Sequence, residues 1–272
     1  MYSSLNGFPM TPLTPEARPM DMSGTAEYAQ YAVSTTQYHG FGRRLLTGNG
    51  KVFKFGKSNA EWRTGLLAFF GVAIPAAGID YSLLPAAASA GATSIQMTNQ
   101  GTVAQTLNCL AGGHIVMKLS TADTGVSATL QQRDIVGNTA GGVSDVITIY
   151  LDAPITTALT TASYAFAMPS HWSSVGYGLY TKRSAAGLPA TYVSAANYFG
   201  WLQTWGPAWV SDIAATLGTV AYQRQLVLGY AGGVGPHIYD AGNAQDQHIG
   251  FIMDNNEADN GATNIFLQLT PV

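Results

Sequence analysis

The chain has 272 residues, of which 47% are hydrophobic and only 10% are charged, and its formal net charge is −3. This composition excludes a disordered chain, and it argues against a nucleic-acid binder, which normally carries a basic patch for the phosphates. A single cysteine excludes an internal disulfide, and no apolar run reaches the roughly 18 residues that predict a membrane-spanning helix.

Residues 1–45 are predicted to form an extended arm. Prolines recur every three or four residues from Pro9 to Pro19, and proline favours extended backbone at its own position and at the preceding residue. The arm is either a free tail or a segment that docks on a partner. Its candidate anchoring side chains are Phe8, Met10, Leu13, Met20 and Met22.

From Thr47 onward the chain consists of short runs of β-branched and aromatic residues, bounded by Gly, Asn, Asp or Pro. The first run follows Asn49 and Gly50, a dipeptide typical of a tight hairpin turn. No convincing helical periodicity or fixed repeat accompanies these runs. The pattern therefore predicts an all-β fold, a β-sandwich or barrel of many short antiparallel strands.

The middle of the chain, 87–169, contains a set of strand-like runs of its own. We predict that it is an inserted β subdomain, and that the flanking segments 46–86 and 170–272 pair into the main barrel or sandwich. Pro85 and Pro169 are candidate crossing points between the two parts. A single continuous sheet that links both parts would contradict this prediction.

The most aromatic stretch holds three of the five tryptophans of the chain, Trp201, Trp205 and Trp209. Their spacing of four would suit one face of a helix, but proline inside a helix costs about 3 kcal/mol. We therefore predict a strand over 197–205, a turn or bulge at Gly206 and Pro207, and a second strand over 208–212.

Within such a strand, even spacing places Trp201 and Trp205 on the same face. Large aromatic side chains in a β protein fill a core or a subunit interface, and exposed ones can stack on sugars. The candidate core or interface residues of this stretch are Tyr198, Phe199, Trp201, Trp205 and Trp209.

No motif for catalysis or metal binding is complete. Cys109 and His114 lie five residues apart, which places them on opposite faces of a strand. The stretch His237–His248 has metal-ligand residue types but no known spacing, and Asp254–Asn264 lacks the spaced acidic pattern of a calcium loop. We therefore predict no catalytic residue, cofactor or metal site, and no enzymatic activity.

Three stretches resemble head decoration and capsid cement proteins of tailed bacteriophages. They are Gly48–Ala73, Ala195–Val210 with its "YFGWLQTWGP" segment, and His248–Leu269, and they occur in the same order as in that family. The resemblance implies a virion structural protein on the capsid surface, often a homotrimer, that binds the major capsid protein and braces neighbouring capsomers. It implies no nucleic-acid, membrane or small-molecule partner.

Two alternatives remain open. One is a receptor-binding, lectin-like phage protein at the tail or a vertex, which would require the tryptophans to be exposed. The other is a β-rich hydrolase, which would require a convergent cluster of Asp, Glu or His in a cleft. The structure of the chain can separate these alternatives.

Overall fold

The computed structural model describes residues 30–71, 79–119, 130–177, 184–211, 225–228, 233–236, 247–254 and 262–269. The strands of these ranges are β1 (Arg44–Leu46), β2 (Val52–Lys57), β3 (Ala68–Phe70), β4 (Ile79–Leu83), β5 (Ser94–Thr98), β6 (His114–Lys118), β7 (Leu130–Asn138), β8 (Val146–Leu151), β9 (Tyr164–Met168), β10 (Val175–Gly176), β11 (Ala185–Pro189), β12 (Phe199–Ser211), β13 (Gln225–Leu228), β14 (Val234–Pro236), β15 (His248–Asp254) and β16 (Ala262–Gln268). A short 3-10 helix spans His171–Ser173. Among the described residues, no helix is long and apolar enough to cross a membrane.

The chain forms two compact units, each with its own sheet. One unit combines Met1–Gly71 with Trp172–Val272, and the other is Val72–His171. The first contains a ten-stranded sheet, of which eight strands follow the order β10-β3-β11-β12-β16-β15-β13-β14. The other two strands are β2, which pairs with β12, and β1, which pairs with β2. The second contains a six-stranded sheet in the order β4-β9-β6-β7-β8-β5. Named strands pair antiparallel and both sheets curl, which confirms the predicted all-β class.

The boundary between the units differs from the predicted one. We expected 46–86 to belong to the main domain, but β4 pairs with β9 in the second unit, with Leu83 opposite Tyr164. The second unit accordingly begins at Val72 and ends at His171. The amino-acid pattern of β4 identifies a strand, but only its hydrogen-bonding partner decides the sheet to which it belongs.

The first half of β12 is buried on both of its faces. Trp201 packs with Phe53 and Phe55 on one face, and its neighbour Leu202 packs against a second cluster that includes Trp62 on the other. Neighbouring residues of a strand point to opposite faces, so two hydrophobic clusters meet across this strand. β12 is thus the central element of its sheet.

A β-bulge divides β12. Gln203 pairs with Phe53 and Trp205 pairs with Val52, so two steps along β12 match one step along β2. Because paired residues share a face, the bulge moves Trp205 to the face opposite Trp201. The same-face prediction for these two tryptophans is therefore wrong.

The side chain of Gln203 fastens the irregular segment after the bulge. This buried amide donates hydrogen bonds to the carbonyl oxygens of Trp205 (3.2 Å), Gly206 (3.2 Å) and Pro207 (2.9 Å). Gly206 has a φ of +95°, a conformation that suits glycine. The predicted break at Gly206 and Pro207 is wrong, because β12 continues to Ser211 and the bulge lies earlier.

The residues immediately before β1 pack onto the first unit. Ser34 exchanges two backbone hydrogen bonds with Phe199, the ring of His39 lies against Trp201, and Phe41 stacks on Phe199. The predicted extended arm of 1–45 is therefore corrected in its described part: residues 30 and 31 form a short 3-10 turn, Ser34 pairs with Phe199, and Phe41 packs on a core cluster. The candidate anchors Phe8, Met10, Leu13, Met20 and Met22 lie outside the described residues.

Buried amide side chains hold the loops of the second unit. Asn138 is fully buried; its Oδ1 accepts a hydrogen bond from the backbone of Leu110, and its Nδ2 donates to the carbonyls of Thr106 and Thr139. In the same way, Gln131 Oε1 accepts from the backbone of Thr156 at 2.7 Å. These bonds satisfy polar groups that would otherwise be costly to bury, and they fix long connections against the sheet.

Substitution of Gly250 tests the close approach of β15 to β16. Gly250 has a φ of +151°, and a Cβ atom there would overlap the carbonyl oxygen of Phe266. Gly250→Ala should lower the free energy of unfolding by about 2 kcal/mol or more, measured by urea denaturation. Gly235→Ala is the matched control, because a Cβ at Gly235 meets nothing within 4 Å. Equal stability of the two variants would contradict the close pairing of these strands.

His39 should make the stability of the first unit depend on pH. Burial, and secondly the charge of Arg43, lower the pKa of His39 below its ordinary value of 6.5. The unfolded chain therefore binds a proton more readily, so the free energy of unfolding should fall as the pH drops below about 6.5 and level off below the folded-state pKa. In urea titrations between about pH 7 and pH 5, His39→Gln should flatten this decline. A decline as steep as that of the wild type would show that His39 does not cause it.

Candidate functional site

Large apolar side chains dominate the outward face of three neighbouring strands, β12, β16 and β15, on which Asn264 and Gln268 are polar. We name this surface the outer aromatic face, and it consists of Trp205, Pro207, Trp209, Phe251, Met253 and Phe266. Trp209 is 61% exposed, Met253 42% and Phe251 38%. Trp205, Pro207 and Phe266 are half-buried.

The alternation of the strands explains why this face is exposed. Ala208 and Val210 of β12 and Ile265 of β16 point inward and pack in one hydrophobic cluster. Their neighbours in sequence must then point outward. An antiparallel sheet with one solvated face normally carries polar side chains there, so the aromatic residues depart from the usual pattern.

Strand register brings the aromatic rings into contact. Pro207 pairs with Phe266, which in turn pairs with Phe251, so the three residues form a row across the sheet. The rings of Phe251 and Phe266 stack at 5.2 Å, and Trp205 meets Phe266 edge-on at 5.4 Å. The row is therefore ordered before any partner binds.

Pro207 fits this row because β2 does not extend past it. The pairing of β2 with β12 ends at Trp205, while that of β16 continues to Ser211. Proline lacks a backbone donor and is tolerated where a strand is paired on one side only. Pro207 therefore lies where β12 is paired on one side only.

An apolar surface of this kind suits burial against another molecule. The six side chains of the outer aromatic face carry no formal charge, and aromatic residues and methionine are enriched at protein interfaces. Contiguous exposed apolar surface on a folded protein commonly marks an interaction site. The outer aromatic face can bind another molecule through apolar contacts, and its six side chains include no nucleophile or acid–base group.

The predicted interface residues are divided between core and surface. Trp201 and Phe199 lie in a core cluster, and Tyr198 is half-buried against another. Trp205 and Trp209 lie on the outer aromatic face. The sequence reasoning missed Phe251 and Phe266. Both occur in runs that are apolar at nearly every position. Such runs indicate that apolar side chains lie on both faces of the strand.

Cys109 and His114, the other residues that the sequence brings to attention, contact different partners in the structure. Cys109 donates a hydrogen bond to the side chain of Gln105 at 3.0 Å. His114 stacks on His171 with ring centroids 5.9 Å apart. Burial, and secondly the neighbouring His171, lower the pKa of His114, while Asp134 opposes this effect.

The metal candidates of the sequence are mostly beyond what the structure describes. His237, Asp240 and Asp246 lie outside the described residues, as do residues 255–261 of the calcium-like stretch, whereas His248 is described and exposed. Within the described ranges, no group of three or more His, Cys, Asp or Glu side chains could hold a metal ion.

No protein-family model matches the chain, and no curated protein matches it. The resemblance to phage head decoration and capsid cement proteins therefore stays a prediction from three short stretches.

Paired tryptophan substitutions should separate the core from the outer aromatic face. Trp201 is 4% exposed, so Trp201→Ala should lower the free energy of unfolding by about 3–5 kcal/mol. Trp209→Ala should change it by less than about 1 kcal/mol, because most of that side chain already faces solvent. Urea denaturation measures both values, and a large loss of stability for Trp209→Ala would place this side chain in the core instead.

Proposed function

We propose that this chain is a non-enzymatic structural protein of a tailed-bacteriophage virion. It binds the outer surface of the capsid, contacts the major capsid protein, and braces neighbouring capsomers as a decoration or cement protein. The outer aromatic face is the observation that carries this proposal, since it is a solvent-exposed apolar surface whose burial against a partner would be favourable. The three stretches that resemble this protein family support the major capsid protein as the partner.

The size of the face argues for binding through several copies. A tryptophan side chain buries about 150–250 Å², so covering the exposed part of Trp209 would contribute on the order of 2–4 kcal/mol. Association itself costs an estimated 4–15 kcal/mol or more. Burial of Trp209 alone therefore does not offset this cost, and a homotrimer that presents three such faces to a repeating lattice gains avidity.

The nature of the face also predicts how docking responds to salt. Contacts between uncharged aromatic side chains involve no ion pairs that salt could screen. Docking should therefore persist at ionic strengths that release proteins held by surface charge. A chain in which only 10% of residues are charged is consistent with this mode of attachment.

A receptor-binding, lectin-like phage protein is the second candidate function. The exposure of Trp209 favours it, because a solvent-facing indole ring can stack on a sugar. The two functions differ in copy number, since a receptor-binding protein occurs at the tail or at vertices and a decoration protein covers the lattice. The β-rich hydrolase has no supporting observation among the described residues.

The molar ratio of this chain to the major capsid protein in purified virions tests the proposal. A ratio near a simple fraction of one is expected, because a decoration protein occupies equivalent positions over the capsid lattice. Quantitative mass spectrometry of purified particles measures it. A ratio far below such a fraction would contradict capsid decoration and favour the receptor-binding function.

Phage heads that lack this chain allow the outer aromatic face to be tested by adding variants of the chain to them. Trp209→Ala should weaken co-sedimentation with such heads by about tenfold or more, which corresponds to about 1.4 kcal/mol. Val136→Ala is the control, since Val136 is a similarly exposed apolar residue of the second unit. Equal retention of both variants would show that the outer aromatic face is not the docking surface.

A further inference from the structure

A second surface of the first unit combines charged and aromatic side chains. We name it the polar platform, and it consists of Glu61, Arg63, Tyr177 and Tyr192. None of these residues belongs to the outer aromatic face. A ligand bound at the polar platform would therefore be independent of the proposed function.

Three chain segments hold the backbone of the platform in place. Trp62, between the two charged residues, is buried, exchanges two backbone hydrogen bonds with Val193, and donates from its indole nitrogen to the carbonyl of Val175 at 2.8 Å. The backbone nitrogen of Tyr177 donates to the carbonyl of Glu61 at 2.9 Å. Because Trp62 points into the core, its neighbours Glu61 and Arg63 point outward on a rigid base.

The side chains of the platform orient one another. Arg63 donates to one oxygen of Glu61 from Nε at 3.0 Å and from Nη2 at 2.9 Å, and its guanidinium lies 4.4 Å from the ring centroid of Tyr177. The hydroxyl of Tyr192 lies close to the same carboxylate, and this interaction raises the pKa of Tyr192. Four side chains from three distant parts of the sequence are thus fixed in one array.

This array remains open to solvent. The side chains of Arg63 and Glu61 are 46% and 30% exposed, and Tyr192 is 53% exposed. An exposed ion pair contributes only about 0–1 kcal/mol to stability, so folding alone gives little reason to assemble it. The group is nevertheless accessible, so its charged and aromatic side chains can contact a ligand.

The chemistry of the platform selects a neutral ligand rich in hydroxyl groups. The guanidinium offers donors and the carboxylate offers acceptors side by side, and a hydroxyl group can serve as the partner of either. An anionic ligand would instead have to compete with Glu61 for Arg63. The exposed ring of Tyr192 adds apolar surface beside these polar groups.

We infer that the polar platform binds a neutral glycan, with Glu61 and Arg63 hydrogen-bonded to adjacent hydroxyl groups and Tyr192 packed against the apolar face of a sugar ring. Sugars combine such hydroxyl pairs with a C–H face, and this combination matches an ion pair flanked by aromatic rings. The contacts are few and exposed, so binding by one chain should be weak and should increase in a multivalent assembly.

The test begins with an array of neutral mono- and oligosaccharides, followed by calorimetric titration of the purified chain with the best-bound sugar. Glu61→Gln and Tyr192→Ala should each weaken binding by about tenfold, equivalent to about 1.4 kcal/mol. Tyr38→Ala is the matched control, because Tyr38 is 52% exposed in the same unit but lies outside the platform. Thermal unfolding of each variant verifies that the fold is intact.

Several results would overturn the inference. They are the absence of binding to any neutral sugar, a preference for acidic sugars, and unchanged binding in both platform variants. Loss of sugar binding in Trp209→Ala, with the platform variants unaffected, would assign the glycan to the outer aromatic face instead. Capture of a protein rather than a sugar by the platform would also overturn it. None of these results changes the copy number in virions, so the proposed function is tested separately.

Discussion

The β-bulge in β12 is the constraint on which the first unit depends. Before the bulge, Trp201 and Leu202 point into two different hydrophobic clusters, and the strand is buried on both faces. After it, Ala208 and Val210 point into a third cluster, while Trp209 points outward. The amide of Gln203 holds the transition by donating to successive backbone carbonyls. One strand therefore serves as a core element over its first half and as a surface element over its second.

The two candidate surfaces of this unit differ in their physical character. The outer aromatic face is uncharged, and its strength comes from the area that a partner would cover. The polar platform is small and offers hydrogen-bonding groups, and Arg63 and Glu61 hold each other in a defined geometry. A rigid base supports each surface, in one case through the row of Phe251 and Phe266 and in the other through buried Trp62. Rigid positioning reduces the entropy lost on binding, which matters most for weak contacts.

The sequence pattern predicts where most strands lie, but it does not predict which strands pair with one another. The hairpin signal at Asn49 and Gly50 correctly precedes β2, and the aromatic run is a strand rather than a helix. Membership of β4 in the second unit could not be read from its residues, because its pairing with β9 joins segments about eighty positions apart in the chain. The platform was missed for the same reason, since Tyr177 and Tyr192 approach Arg63 only after three segments pair.

The sequence by itself determined the all-β class, because the alternation of apolar residues and the turn-forming residues between them act over a few neighbouring positions. Only the tertiary structure decided which tryptophan is buried and which is exposed. That choice depends on one extra residue opposite β2, and a single-residue shift transfers every following side chain to the other face of the sheet. Composition does not record such a shift, because it results from the pairing of distant strands.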